Sequence, residues 1–114
     1  MEEVPFFTAV EVESFSWKVK VPVPRDGSYV HATFVGRFKY LTSAQVDELL
    51  QQKLNDRELA RRVLIGIEQL QGEAQPVLRQ EPEVIERVLA VDRAAASTFG
   101  TYMAVIRGLA AEGN

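Results

Sequence analysis

The residues able to carry chemistry are few and far apart. His31 is the single histidine, and the chain has no cysteine. A metal centre or an acid–base pair needs further nitrogen, sulfur or oxygen ligands at short spacing. None accompanies His31, which falls on the polar side of a predicted strand and reads as a surface residue. Without cysteine there is no thiol nucleophile, disulfide or thiolate zinc site. Ser14 and Ser16 have no histidine–acid setting near them in sequence and read as the polar side of a strand. Carboxylates pair at Glu2-Glu3, Asp47-Glu48 and Glu81/Glu83. The first pair is terminal charge, and the others suit the positive end of a helix. General acid–base work requires buried, perturbed carboxylates, which nothing in this pattern indicates. Gly36, Gly66, Gly72, Gly100 and Gly108 are too scattered to cradle a phosphate. The sequence therefore assigns no catalytic, cofactor-binding or metal residue, leaves any partner-binding residues unassigned, and reads as a non-enzyme.

Lys18, Lys20, Arg37 and Lys39, with Tyr29 nearby, could form a basic face of the kind that tracks single-stranded nucleic acid. Two features oppose that reading. The formal net charge is −3, whereas nucleic-acid binding draws on a basic surface. The aromatic residues Phe15, Trp17, Phe34 and Phe38 are also needed for a core. A solvated strand face is preferred.

These residues must be placed by a small fold. The length of 114 residues, 46% hydrophobic and 25% charged, suits one domain burying roughly two thirds of its unfolded surface. No run approaches the ~20 apolar residues of a membrane span. The start, MEEVPFF, lacks the basic region and long apolar run of a signal peptide. The cytoplasm is the default expectation.

Residues 1–12 read as a flexible arm or an added edge strand, with Phe6, Phe7 and Val10 as its apolar residues. From Glu13 to Val23 alternation is strict: Phe15, Trp17, Val19, Val21 and Val23 share one face, and Ser14, Ser16, Lys18, Lys20 and Pro22 the other. Pro22 places the end of that strand at a sheet edge or leaving the sheet. Pro24-Arg25-Asp26-Gly27 is a turn. Val30, Ala32, Phe34, Gly36 and Phe38 then form one face of a second strand, with Gly36 marking a bulge or a close approach. Leu41-Thr42 opens a helix, with Thr42 and Gln45 as a capping box and Leu41 and Val46 as a staple. Asn55-Asp56 interrupts it, and Asp56 can cap a second helix with stripe Leu59, Val63, Ile67 and Leu70. Leu64 lies on the flank of that stripe. Gly66 is unusual there, costing about 1 kcal/mol relative to alanine; a close helix crossing or a partner contact would account for it. Gly72 reads as the stop. Residues 71–81 form a polar linker that Val77 and Leu78 could anchor. Pro82 starts a third helix, and Asp92 can separate it from an alanine-rich fourth; one long helix from Pro82 is the alternative, since no proline forces a break there, and two segments are preferred. The expectation is one α+β domain over 1–114. An antiparallel hairpin (about 13–23 and 28–40) packs against four short helices (about 43–54, 57–71, 82–91 and 94–111). The small residues of the last helix serve internal packing or, alternatively, a homo-oligomer contact.

The order of these segments resembles the tail assembly chaperones of long-tailed phages and prophages. The resemblance rests on the Phe15-Ser16-Trp17-Lys18-Val19 strand, the Pro24–Gly27 turn, the Phe34–Phe38 strand and the Leu41-Thr42 cap. It continues through Val46–Leu50, Asp56-Arg57-Glu58-Leu59 and Val63-Leu64-Ile65-Gly66, to the Ala110–Asn114 ending. It covers residues 13–70 well and the remainder loosely. Ile67 replaces an aromatic, and the linker 71–81 lacks an acidic Pro-Phe-Ser-like run. The resemblance implies a non-catalytic protein without cofactor that binds the tape measure protein, keeps it soluble and recruits tail tube subunits. It also implies a longer frameshifted form. Under that role, Leu49, Leu50, Val63, Ile67, Tyr102, Met103 and Ile106 are surfaces that could meet a partner, although each also suits the core. A structural virion component, such as a minor tail or head–tail connector protein, is the alternative; a nucleic-acid-binding regulator is a more distant one.

Overall fold

The computed structural model describes residues 4–10 and 12–110. The expected pair Glu2-Glu3 and the ending from Ala111 to Asn114 lie outside them. The architecture is α+β, a three-stranded antiparallel sheet with helices over one face. The elements are α1 (Phe6–Val10), β1 (Ser14–Arg25), β2 (Ser28–Lys39), α2 (Ser43–Gln51), α3 (Asp56–Val63), β3 (Leu64–Leu70), α4 (Pro82–Leu89) and α5 (Ala94–Ile106). The sheet order is β1-β2-β3.

The hairpin forms as its alternation dictates. Phe15 pairs with Phe38, Trp17 with Gly36, Val19 with Phe34 and Val21 with Ala32, which brings the two apolar faces together. Asp26 and Gly27 turn the chain at φ 46° and 84°, as a tight two-residue hairpin turn requires. The Tyr40 N–H donates to the Glu13 carbonyl at 2.9 Å. Carried along the ladder, this makes odd-numbered residues of β1 bond to β2. Pro22 and Pro24 therefore face outward on an edge strand, where a missing N–H breaks no ladder bond. The strand runs through both prolines to Arg25, rather than leaving the sheet at Pro22.

The capping box at Thr42 is present: the Thr42 hydroxyl accepts from the Gln45 N–H at 3.3 Å and the Gln45 side chain accepts from the Thr42 N–H at 2.9 Å. Helix α2 ends at Gln51, short of 54, because Lys53 adopts a left-handed conformation at φ 54°. Asp47 and Glu48 fall a turn later than a dipole role at the helix start needs. Asn55, not Asp56, caps α3, through a second box with Glu58.

The expected helix over 57–71 is half helix and half strand. It stops at Val63, and Leu64–Leu70 joins β2 as its third strand. The periodicity that favoured a helix has another origin. Leu64, Ile67 and Leu70 pair with Phe38, Gly36 and Phe34, and the register shifts twice on the way. Each shift places an extra residue on β3, so inward-facing positions recur every three residues instead of two. Spacing of that kind mimics a helical stripe. The strand assignment also removes the difficulty of Gly66: a Cβ there would lie 2.7 Å from Leu78 Cδ1 and 3.1 Å from the Arg79 carbonyl oxygen. Gly66 admits the returning linker, not a crossing helix. Gly72 is a positive-φ turn after the strand, not a helix stop. Gly36 sits at one of the shifts, where a Cβ would meet Leu64 Cδ1 at 2.8 Å.

The linker is tied by its backbone. Ile67 and Arg79 exchange hydrogen bonds at 2.8 and 2.9 Å, and the Val77 N–H donates to the Glu68 carbonyl at 2.8 Å. Val77 and Leu78, expected as anchors, remain exposed. Pro82 occupies the first turn of α4, as expected. Helices α4 and α5 are separate because Arg93 turns the chain at φ 68°; Arg93, not Asp92, makes the break. Helix α5 ends at Ile106, short of the expected 111, and Gly108 follows at φ 71°.

Val19, Val21, Phe34 and Phe38 of the sheet meet Leu49, Ala60, Val63, Leu89, Ala94, Phe99 and Tyr102 of the helices. Phe15, Phe38, Phe99 and Tyr102 form an aromatic group, with ring centroids 5.7–6.2 Å apart. The buried Tyr102 hydroxyl donates to the Lys39 carbonyl at 2.8 Å and accepts from the Leu41 N–H at 3.1 Å. It thereby fastens the end of β2 to α5. Burial pushes its pKa above the usual tyrosine value.

Candidate functional site

Among the described residues, the chemistry-bearing side chains singled out from the sequence come together on the uncovered face of the sheet. There Arg37 of β2 donates to Ser14 Oγ and Ser16 Oγ of β1, each at 3.0 Å. Ser16 Oγ donates to the Glu68 carboxylate of β3, and Arg37 Nη1 lies 4.0 Å from the same carboxylate. Glu68 was missed because the sequence placed it on a helix. The chain Ser14–Arg37–Ser16–Glu68 crosses all three strands and ties them together. Its guanidinium is bonded to two serine hydroxyls and faces the Glu68 carboxylate at 4.0 Å, which offsets part of its charge beside Lys18, Lys20 and Lys39. Tyr29 is also engaged, with the Arg93 guanidinium carbon 5.9 Å from its ring centre. His31 is exposed on the hairpin. Among the described residues, no cluster of His, Cys, Asp and Glu could hold a metal ion, and no helix is long and apolar enough to cross a membrane.

The other face holds a more distinctive feature, an apolar groove of about 440 Å³ between the far half of the sheet and α4. Val21, Ala32 and Phe34 form its floor, and Val84 and Val88 of α4, with Val91 just after it, form one wall. Leu70 closes one side, and Arg79 and Arg87 stand at the edge. The size lies within the range of small-ligand and side-chain pockets, roughly 300–1,000 Å³. Helix α4 presents Val84 and Val88 one turn apart, and Val91, just beyond its end at Leu89, lines the groove beside them. Arg79 is held at the edge by Glu73, whose carboxylate also accepts from the Leu70 N–H at 2.8 Å. Those two bonds, the backbone one first, hold the Glu73 pKa below its ordinary value. The opposite side of α4 is braced on α3, where Arg61 donates to Glu86 at 2.5 and 2.8 Å. Hydrogen bonding to that guanidinium lowers the Glu86 pKa.

A second exposed apolar feature is α1. Phe6 and Phe7 are 72% and 75% exposed, with their rings edge to face at 5.3 Å, and Val4 and Val10 are exposed beside them. The arm is a short helix, not an added edge strand.

The surfaces named from the sequence divide differently. Leu49, Val63, Ile67 and Tyr102 are buried in the core. Leu50 is exposed, and Met103 and Ile106 line a shallow crevice between α2 and α5. The groove was missed as a unit because its walls come from segments far apart in sequence. Only the apolar floor of the hairpin was visible. The chain matches no protein-family model, no curated protein and no solved structure.

Proposed function

We propose that this protein is a non-catalytic assembly chaperone of a phage tail. It binds the tape measure protein, keeps it soluble and recruits tail tube subunits. The apolar groove under α4 carries the reading. A chaperone for a long, apolar helical client needs an accessible surface that accepts one helix face at a time, through anchors spaced a turn apart. The groove between α4 and the sheet offers valines spaced a turn apart on one wall and Phe34 beneath them. The resemblance of residues 13–70 to tail assembly chaperones supplies the identity of the client. Host-cell cytoplasm follows as the place of action.

Co-expression with the tape measure protein of the same phage, then pull-down and size exclusion with light scattering, tests the proposal. A soluble complex formed only when both chains are present is the expected result. A tape measure protein that stays insoluble beside this chain would contradict it. If the chain instead persists in finished virions, the structural-component reading replaces it.

A further inference from the structure

We infer that the open edge of β1, from Ser16 to Lys20, is a docking site for an extended segment of a partner protein in which acidic and apolar residues alternate. The inference makes no use of the groove under α4 and does not depend on the chaperone reading.

The backbone makes the edge receptive. Odd-numbered residues of β1 bond to β2, so the N–H and carbonyl groups of Ser16, Lys18 and Lys20 point away from the sheet. Among the described residues, no main-chain hydrogen bond from outside the sheet reaches these three. Pro22 and Pro24 carry no N–H on the same edge, which confines an added strand to the first half of β1. A strand docking there forms main-chain bonds along the edge, and alternate side chains set its specificity.

The side chains define the partner. Lys18 and Lys20 are exposed on the uncovered face, and neither is in an ion pair among the described residues. From Ser14 to Tyr40 the chain carries Lys18, Lys20, Arg25, Arg37 and Lys39 against one acid, Asp26, although its net charge is −3. Glu68, the one acid of β3, is bonded to Ser16 and faces Arg37. Carboxylates at alternate positions of an added strand stand beside the two lysines, and opposite charges on neighbouring strands attract. On the inner face, Trp17 is half-buried and pairs with Gly36, which has no side chain. Apolar residues at the intervening positions of the added strand pack beside its indole. Two other occupants fit worse. A second copy pairing antiparallel through the same edge sets lysine near lysine, so these residues repel the chain's own edge while attracting an acidic one. Single-stranded nucleic acid draws on aromatic platforms, but Phe15, Trp17, Phe34 and Phe38 belong to the covered face and Tyr29 lies beneath Arg93.

Trp17 is the single tryptophan of the chain, so its fluorescence reports docking at this edge. The end-blocked peptide Val-Glu-Val-Glu-Val-Glu-Val is titrated against the full chain at low salt. An isomer with its glutamates in one block and a version with lysine in place of glutamate serve as controls. The expected result is a blue shift of Trp17 emission with the alternating acidic peptide, which binds roughly tenfold more tightly than either control. Lys18→Glu/Lys20→Glu, which alters only exposed side chains, should keep the circular dichroism spectrum and reverse the preference toward the lysine peptide. Absence of binding overturns the inference. So does binding without an emission shift, binding indifferent to residue order, or a charge reversal that changes nothing. An oligothymidylate that binds more tightly than the acidic peptide overturns it in favour of nucleic acid. Val91→Glu, on the groove wall, should leave the titration unchanged, which separates a failure here from a failed tape measure experiment.

Discussion

Strands β1 and β3 flank the same central strand and pair with it in different ways. β1 matches β2 residue for residue from Ser14↔Lys39 to Arg25↔Ser28. β3 passes β2 with two register shifts, so Leu64, Ile67 and Leu70 answer Phe38, Gly36 and Phe34. The regular side is local: an Asp-Gly turn sets the register, and a slip by one would move every apolar residue to the wrong face. The bulged side is set by distant partners. Gly36 leaves room for Leu64, Gly66 leaves room for the linker, and Arg79 bonds back to Ile67. Bulges bend a strand and increase its twist. Here they carry β3 to the side of the groove that Leu70 closes.

The largest effect that separates the two sides is expected at Leu64. In the strand it is 2% exposed and faces Phe38, whereas a continuous helix would leave it on the flank of the apolar stripe. Leu64→Ala should cost about 2–5 kcal/mol in denaturant unfolding, comparable with Phe38→Ala in the hairpin. A cost below about 1 kcal/mol would restore the helical reading.

Gly66→Ala gives a smaller effect but a sharper one, because its sign differs. In a helix interior the change would stabilise by about 1 kcal/mol. Against Leu78 and the Arg79 carbonyl it should destabilise by about 1–3 kcal/mol. The same denaturant titration reads the sign.

The smallest effect concerns the brace between α3 and α4. The folded-state pKa of Glu86 is lowered by Arg61. Its contribution is therefore present above the unfolded carboxylate value and is lost as pH falls through the depressed folded value. Glu86→Gln should be slightly less stable than the parent chain at neutral pH. The difference should vanish in acid, below the ordinary carboxylate range, and shrink with added salt. A difference that persists in acid would assign the effect to packing.

What could be read from the sequence was what depends on near neighbours. Strict alternation gave the hairpin, Thr42 and Gln45 gave the start of α2, Asn55-Asp56 gave the break, and Pro82 gave the start of α4. The third strand was hidden because two bulges convert a period of two into a spacing of three, and a spacing of three also fits a helix. Two signals pointed the other way. Val63, Ile65 and Ile67 are β-branched around a glycine, and a two-stranded hairpin is marginal without a third strand or a covering layer. The groove was illegible for a different reason: Val21, Ala32, Leu70, Val84 and Val91 converge only once β3 and the linker are in place. Phe6, Phe7 and Val10 were visible as an apolar arm, but their exposure was not.

The central claim is that the α4 groove receives an apolar helical partner. Its most direct test repeats the tape measure co-expression with Val91→Glu, which puts a charge on the groove wall at a position already 48% exposed. The account predicts a chain with an unchanged circular dichroism spectrum and melting temperature that no longer keeps the tape measure protein in the soluble fraction. Full retention by this variant would contradict it and would move the binding surface elsewhere on the molecule.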